Sequence, residues 1–314
     1  MYIKERFRNN YLGQLAISLY HCYMGWIMPK LMSDEKAVKK YYRKKSGGIE
    51  LDLNNPRKFS EKQQWYKLHS RQALMQKCAD KLAVRDYIIE RGYENTLNEL
   101  LGVYDRAQDI DYSQLPDRFV LKATHGSSMN YIVKNKALFD KKRAGKMMNS
   151  WLHQNIAWSG REWVYMNMPR HIIAEAYLED ETGELQDYKF FCFNGEPKFL
   201  QVTGGRFSNS KYQNFYDLEW NLLPFGKDLA SNPNVIVPRP DQFNFMIKMA
   251  HDLCNPFQFV RVDLYQANGK VYFGEMTFFP AGGAPDFKPS EYDQIVGDMW
   301  QLVDFPNEDF NEHG

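Results

Sequence analysis

The sequence predicts an α+β protein with an N-terminal helical extension, and three observations carry that class. Helical patterning prevails through residues 54–91. Beyond residue 97, runs with period-two alternation follow one another, and two of their connections, Asn194-Gly195 and Gln266-Ala-Asn-Gly269, have hairpin composition. Helical stretches at 144–154 and 241–253 interleave with those strands. A length of 314 residues suffices for one large unit or a few smaller ones with a real core.

Composition narrows the function classes. Hydrophobic residues at 44% and charged residues at 25% are ordinary for a soluble globular chain, and a net charge of +1 without clustered Lys and Arg argues against nucleic acid as a partner. Aromatics at 15% fit either stacking surfaces for nucleotide or sugar rings or an aromatic-rich core. Cys22, Cys78, Cys192 and Cys254 are too scattered for a zinc site or a disulfide framework, which points to a reducing cytoplasm. The zinc-protease, serine-hydrolase and P-loop motifs are absent, so any metal would be held by oxygen.

In chain order, Lys4, Arg6 and Arg8 precede a charge-free run over 9–29. Gln14, Ser18 and His21 interrupt it, so it lacks the uniform apolarity of a spanning helix, and it has no clear leader cleavage site. Residues 1–30 therefore read as an interfacial helix or as an amphipathic helix packed on the body. Residues 33–45 read as a solvated helix stopped by Gly47-Gly48. Ser60-Glu-Lys-Gln63 reads as a capping box, and Asp80, Lys81 and Arg85 as a solvated ion-pairing helix face. After a strand over 97–104, Asp109-Ile-Asp111 has the Asp-x-Asp pattern of metal-dependent glycosyltransferases but lies in a polar turn, and it reads as a loop.

The strand Arg118-Phe-Val-Leu-Lys122 leads straight into the small-residue loop His125-Gly126-Ser127-Ser128. Such a lysine can hold a phosphate as a point charge while loop amides close over it, with His125 as a further donor; the alternative is a strand-edge lysine before a turn. Glu175, in the apolar run 171–178, needs a partner because a lone buried acid is costly. Asp187 and Lys189 alternate on one strand, and the polar loop 204–211, with Arg206 and Lys211, is a candidate lid or an inert surface loop.

The most informative stretches come last. In FVRVDLY, Arg261 and Asp263 share a face, as do Glu275 and Thr277 in VYFGEMTF, and pairing the two strands would gather all four on one surface. Asp, Glu and a hydroxyl suit Mg²⁺, with Arg261 steadying charge on a phosphoryl group. The alternative is a surface hairpin whose charges pair across strands.

Taken in order, DKLAVRDYI, LPDRFVLKATHGSS, IIAEAYLED, DYKFFCFNG, FVRVDLY and YFGEMTFFPAGG resemble the TupA-like ATP-grasp family, associated with teichuronopeptide and other surface-polysaccharide synthesis, over about residues 50–285. The resemblance implies an ATP-grasp fold, two α+β subdomains clasping ATP. It divides the chain into a helical extension (1–50), an N-terminal subdomain (51–115), a lid (116–175), a catalytic subdomain (176–300) and a tail (301–314). It further implies that Lys122 and the loop His125 to Ser128 bind ATP phosphates, that Glu175, Tyr177 and Leu178 form the hinge against adenine, and that Asp187 reaches the ribose. Asp263, Glu275 and Thr277 would ligate Mg²⁺, Thr277 standing where many relatives have Asn. Arg261, Lys189 and Arg206 would serve phosphate or substrate. Relatives often carry Asn before the loop histidine and a glycine late in the loop, where this chain has Ala123-Thr124 and Ser127-Ser128. The implied activity is a carboxylate–amine ligase joining a uronic-acid carboxylate of a surface glycan, or of its lipid-linked precursor, to an amino acid or small amine; the alternatives are a metal-dependent glycosyltransferase resting on Asp109-Ile-Asp111, an ATP-dependent sugar kinase, and a carbohydrate- or nucleotide-binding module without turnover. Such an enzyme would be cytoplasmic, with residues 1–30 as a candidate contact to the inner face of the membrane.

Overall fold

The computed structural model describes residues 11–27, 31–180, 185–204, 212–227 and 231–304. Two helices, α1 (Tyr11–Trp26) and α2 (Asp34–Lys45), form the extension. Ser33 caps α2, Asp34 and Glu35 sit at its positive end, Arg43 to Lys45 at its negative end, and Gly47 and Gly48 at positive φ stop it, as the sequence predicts. Three helices follow, α3 (Phe59–His69), α4 (Ala73–Ala79) and α5 (Val84–Glu90). The expected capping box is displaced. Lys58 is the N-cap, Glu61 Oε2 accepts from the N–H groups of Arg57 and Lys58 at 3.0 Å, and Ser60 instead donates to Asp293 from far along the chain.

Strands β1 (Leu100–Tyr104), β2 (Phe119–Ala123), β3 (Asn130–Val133) and β4 (Ile172–Ala176) make an antiparallel sheet in the order β1-β4-β2-β3. Phe119, Leu121 and Ala123 bury one face with α6 (Lys141–Leu152), through Ala144, Met148 and Trp151, which leaves Val120 and Lys122 on the other. Because β1 joins this layer, the layer begins before residue 116, the expected start of the lid. A short α7 (Ala157–Gly160) precedes β4, and α1 packs on α6 and α7.

The second sheet is also antiparallel: β5 (Gln186–Phe193), β6 (Glu196–Gly204), β7 (Tyr212–Tyr216), β8 (Phe259–Ala267) and β9 (Lys270–Thr277), in the order β7-β6-β5-β8-β9. Both predicted hairpins form. Asn194-Gly195 and Asn268-Gly269 have positive φ at both central positions, the type I′ turn that matches strand twist. On one face, α8 (Phe243–Cys254) lays down Phe243, Met246, Met249 and Leu253. On the other face, Phe193 and Phe259 meet Phe59 and Trp300, the last just beyond α9 (Tyr292–Asp298), with ring centroids 5.1–6.3 Å apart. Aromatic enrichment is thus largely a matter of core. The half of this face that the aromatics leave uncovered carries the charged residues of the candidate site.

Candidate functional site

Register brings the predicted cluster together. Asp263 lies opposite Lys189 on β5 and Glu275 on β9, and Arg261 lies opposite Thr277. The β8–β9 ladder shifts register beside Asp263, and a methyl group on Gly274 would lie 2.8 Å from the Asp263 carbonyl, so only glycine fits this irregularity. Arg261 Nε and Nη2 donate to the two Asp263 oxygens at 2.6 and 2.7 Å, and Nη2 also reaches Glu275 Oε1 at 3.3 Å and Thr277 Oγ1 at 3.1 Å. Lys189 pairs with Asp263 and, at 2.8 Å, with Asp187. The charges do pair across strands, Lys189 with Asp263 and Arg261 with Glu275, but Asp263 is fully buried, so this is not a surface hairpin.

Electrostatics separate the two carboxylates. Burial pushes the Asp263 carboxyl up, against the pull of Arg261 and Lys189. Burial alone would also raise Glu275, but Lys81, Lys189 and Arg261 outweigh it and hold this carboxyl at about 2. Glu275 is therefore ionised throughout the physiological range.

Facing this cluster across a narrow cleft is the first sheet. Lys122 donates to Glu175 Oε2 at 2.6 Å, and Arg85 approaches Glu175 Oε1 at 3.5 Å, which gives the buried acid the partners it requires. The cleft encloses about 130 Å³. Leu97, Met129, Leu178 and Phe273 supply its apolar lining, and Lys81, Arg85, Lys122, Glu175 and Glu275 its charges. Glu275 also opens onto a second cavity of about 870 Å³, which it shares with Arg261 and Thr277.

Lys81 and Arg85 were not legible as site residues, and the solvated-face reading is corrected. Lys81 is half-buried and donates to the Gly126 carbonyl, while Arg85 donates to Asn98 O at 2.9 Å. Asp80, at the end of α4, accepts from Leu82 and Ala83 N–H and so shapes the turn between α4 and α5.

Among the loop residues, Ser128 lines the cleft and Ser127 the larger cavity. Ser128 takes φ +60°, a left-handed conformation that glycine adopts without strain. His125 is not positioned as a phosphate donor: its Nε2 donates to Trp151 O at 2.9 Å, and burial lowers its pKa to about 4. The neutral ring fastens the loop to α6. Since folded His125 resists protonation, the stability it supports is complete above about pH 6.5 and is lost as pH falls toward 4, by at most about 3 kcal/mol. Urea unfolding at pH 7 and pH 4 should show this loss in the native protein and a smaller one in His125→Gln. Tyr177 also turns away from the cleft, its ring under Arg118 and Lys134. Asp187 is reached through Lys189 and lies outside the cleft lining. Arg206 and Lys211 lie outside the described residues. Asp109 pairs with Arg106 at 2.8 Å, and Asp111 accepts from Ser113 at 2.6 and 2.9 Å, so the Asp-x-Asp segment is satisfied locally on the surface, as a loop.

For a divalent cation, no group of three or more His, Cys, Asp or Glu gathers among the described residues. The oxygens of Asp263, Glu275 and Thr277 do converge on a single cationic atom, Arg261 Nη2. This mixed hard-oxygen set fits Mg²⁺ completed by phosphate oxygens.

A model of the TupA-like ATPgrasp family matches residues 61–301. Comparison with curated proteins gives no match. Among solved structures, D-alanine–D-alanine ligase from Bacillus anthracis is 16% identical, over 64% of this chain and 57% of its own, with a TM-score of 0.38. The Helicobacter pylori D-alanine–D-alanine ligase is 14% identical over 73% and 60%, and an L-amino acid ligase from Bacillus licheniformis is 11% identical over 73% and 45%, both with TM-scores of 0.38. The chain thus spans about half of the length of these structures. Two antiparallel sheets facing across a charged cleft, together with a family match over most of the length, establish that the chain belongs to the TupA-like ATP-grasp family and has an ATP-grasp fold.

Proposed function

We propose that this protein is an ATP-dependent carboxylate–amine ligase, and that it joins a uronic-acid carboxylate of a surface glycan to an amino acid or small amine. The observation that carries the reading is Arg261, whose guanidinium gathers Asp263, Glu275 and Thr277 where the narrow cleft meets the larger cavity. Adenine would lie between Leu178, Met129 and Phe273, with the phosphates toward Lys122 and Lys81. A cleft of about 130 Å³ is small beside the roughly 300–1,000 Å³ of small-molecule pockets, and Glu275 joins it to the larger cavity.

In the proposed reaction a carboxylate oxygen attacks the γ-phosphorus, the bond to the β–γ bridging oxygen breaks, and ADP leaves. The amine nitrogen then attacks the acyl carbon, phosphate departs, and the nitrogen gives up a proton. Asp263, Glu275 and Thr277 would hold Mg²⁺, which neutralises charge on phosphate oxygens. Burial alone would lower Arg261, but Asp263 and Glu275 push its pKa up, so it stays cationic and, with Lys189 and Lys122, opposes charge developing on the transferred group. ADP release assayed with uronate glycans and pooled amino acids should require both a carboxylate and an amine. Release with ATP alone, or from sugar hydroxyls without the amine, would remove the ligase reading.

The acceptor would be met at a membrane surface. Leu12, Leu15, Leu19 and Ile27 of α1 and its C-terminal turn are exposed at near-helical spacing, although no helix among the described residues is long and apolar enough to cross a bilayer. Leu15→Ser/Leu19→Ser should bind phosphatidylglycerol vesicles at least several-fold more weakly than the native chain in co-sedimentation. Equal binding would leave α1 as a packing element only.

A further inference from the structure

The cavity of about 870 Å³ beside Arg261 and Glu275 has a wall that lies outside the family-matched segment. That wall is α2. Ala37, Lys40, Tyr41, Lys44 and Lys45 recur at helical spacing on its cavity side, while Val38 and Tyr42 on the opposite side are buried against Leu51. The helix is fixed there by two fastenings. Tyr41 donates to Ala281 O at 3.0 Å, and its ring lies 5.0 Å from the ammonium of the buried Lys67, itself held by Gly160 O at 2.7 Å and Gly282 O at 2.8 Å. Ala281, Gly282 and Gly283 all have positive φ, so the chain leaving β9 is folded into a tight run that meets α2.

Lys40 and Lys44 are exposed and have no carboxylate within 4 Å among the described residues, whereas Arg161 on the opposite wall is engaged by Asp34 at 3.3 Å. Tyr23 and Trp158 add aromatic faces, and Glu162 and Glu275 are the acids that face the same space. Two solvated ammonium groups and aromatic rings, in a space open to the phosphoryl-transfer residues, match a chain of sugar rings carrying repeated negative charge.

We propose that the N-terminal extension builds the acceptor subsite, and that Lys40 and Lys44 select an anionic glycan by reading carboxylates on residues neighbouring the reacting one. This rests on the ligase reading for the identity of the cavity, but its test is binding and not turnover.

Isothermal titration of the full chain with hexagalacturonate, maltohexaose and inorganic pyrophosphate, beside Lys40→Gln/Lys44→Gln, decides it. Hexagalacturonate should bind the native protein in preference to maltohexaose and weaken about tenfold in the double variant. ATP affinity should not change, because neither lysine lines the nucleotide cleft. Equal hexagalacturonate affinity in both proteins, or maltohexaose binding as tightly, overturns the proposal. So does pyrophosphate binding with none by hexagalacturonate, which would mark a phosphate site. Charge-dependent glycan binding without ADP release would instead sink the ligase reading and leave the subsite standing.

Discussion

Glu275→Gln is expected to lower ATP turnover roughly 100- to 1,000-fold while leaving the unfolding free energy within about 1 kcal/mol of the native value. Both halves follow from position. Glu275 lines both cavities, is held ionised by Lys81, Lys189 and Arg261, and keeps more than a third of its side chain accessible. Its charge is thus available to a metal or substrate and contributes little to holding the fold. Asp263→Asn should behave differently. Asp263 is fully buried and counterbalances Arg261 and Lys189, each mostly buried, so neutralising it leaves two cations facing each other and costs about 3–5 kcal/mol in addition to turnover. Urea denaturation with ADP-release kinetics on both variants separates the roles. Equal destabilisation by the two would mean that the hairpin carboxylates are a structural network and not a ligand set.

How much of this was legible in the sequence depends on the range of the interaction. Strand alternation pairs Arg261 with Asp263 and Glu275 with Thr277, but strict register from the Asn268-Gly269 turn would set Asp263 opposite Gly274, and only the shift beside Asp263, which no local pattern announces, turns both pairs onto one face. The start of α3 was misplaced because its Ser60 is satisfied by Asp293, a partner more than two hundred residues away that no local capping pattern contains. His125 failed as a phosphate donor for a similar reason: only the packed position of α6 shows that Trp151 O takes its N–H. Lys81 and Arg85 show the limit most clearly. Their spacing is that of an ordinary charged helix face, and nothing local says that the loop after β2 and the edge of β4 will close over them.

That closure makes Lys81 the second position of large expected effect. Its backbone N–H donates to Thr124 O at 3.3 Å and its ammonium to Gly126 O, so one residue bridges the helical subdomain to the loop that covers the cleft. Burial pushes its pKa down, and Glu275 across the cleft works against that. Lys81→Met keeps the aliphatic stem and removes both the tie to the loop and the cation facing Glu275. A charge-assisted hydrogen bond of about 1.5–3 kcal/mol corresponds to roughly a 10- to 150-fold rise in the dissociation constant for ATP. Turnover at saturating ATP should fall much less, because Arg261 and Lys189 remain on Asp263. Lys81→Arg should recover little, since the wider guanidinium cannot enter a space closed around an ammonium by the Gly126 carbonyl. ATP titration calorimetry on the native protein and the two variants measures this directly. Unchanged ATP affinity in Lys81→Met would assign Lys81 to packing of the loop alone and leave Lys122 as the phosphate-facing lysine of the cleft.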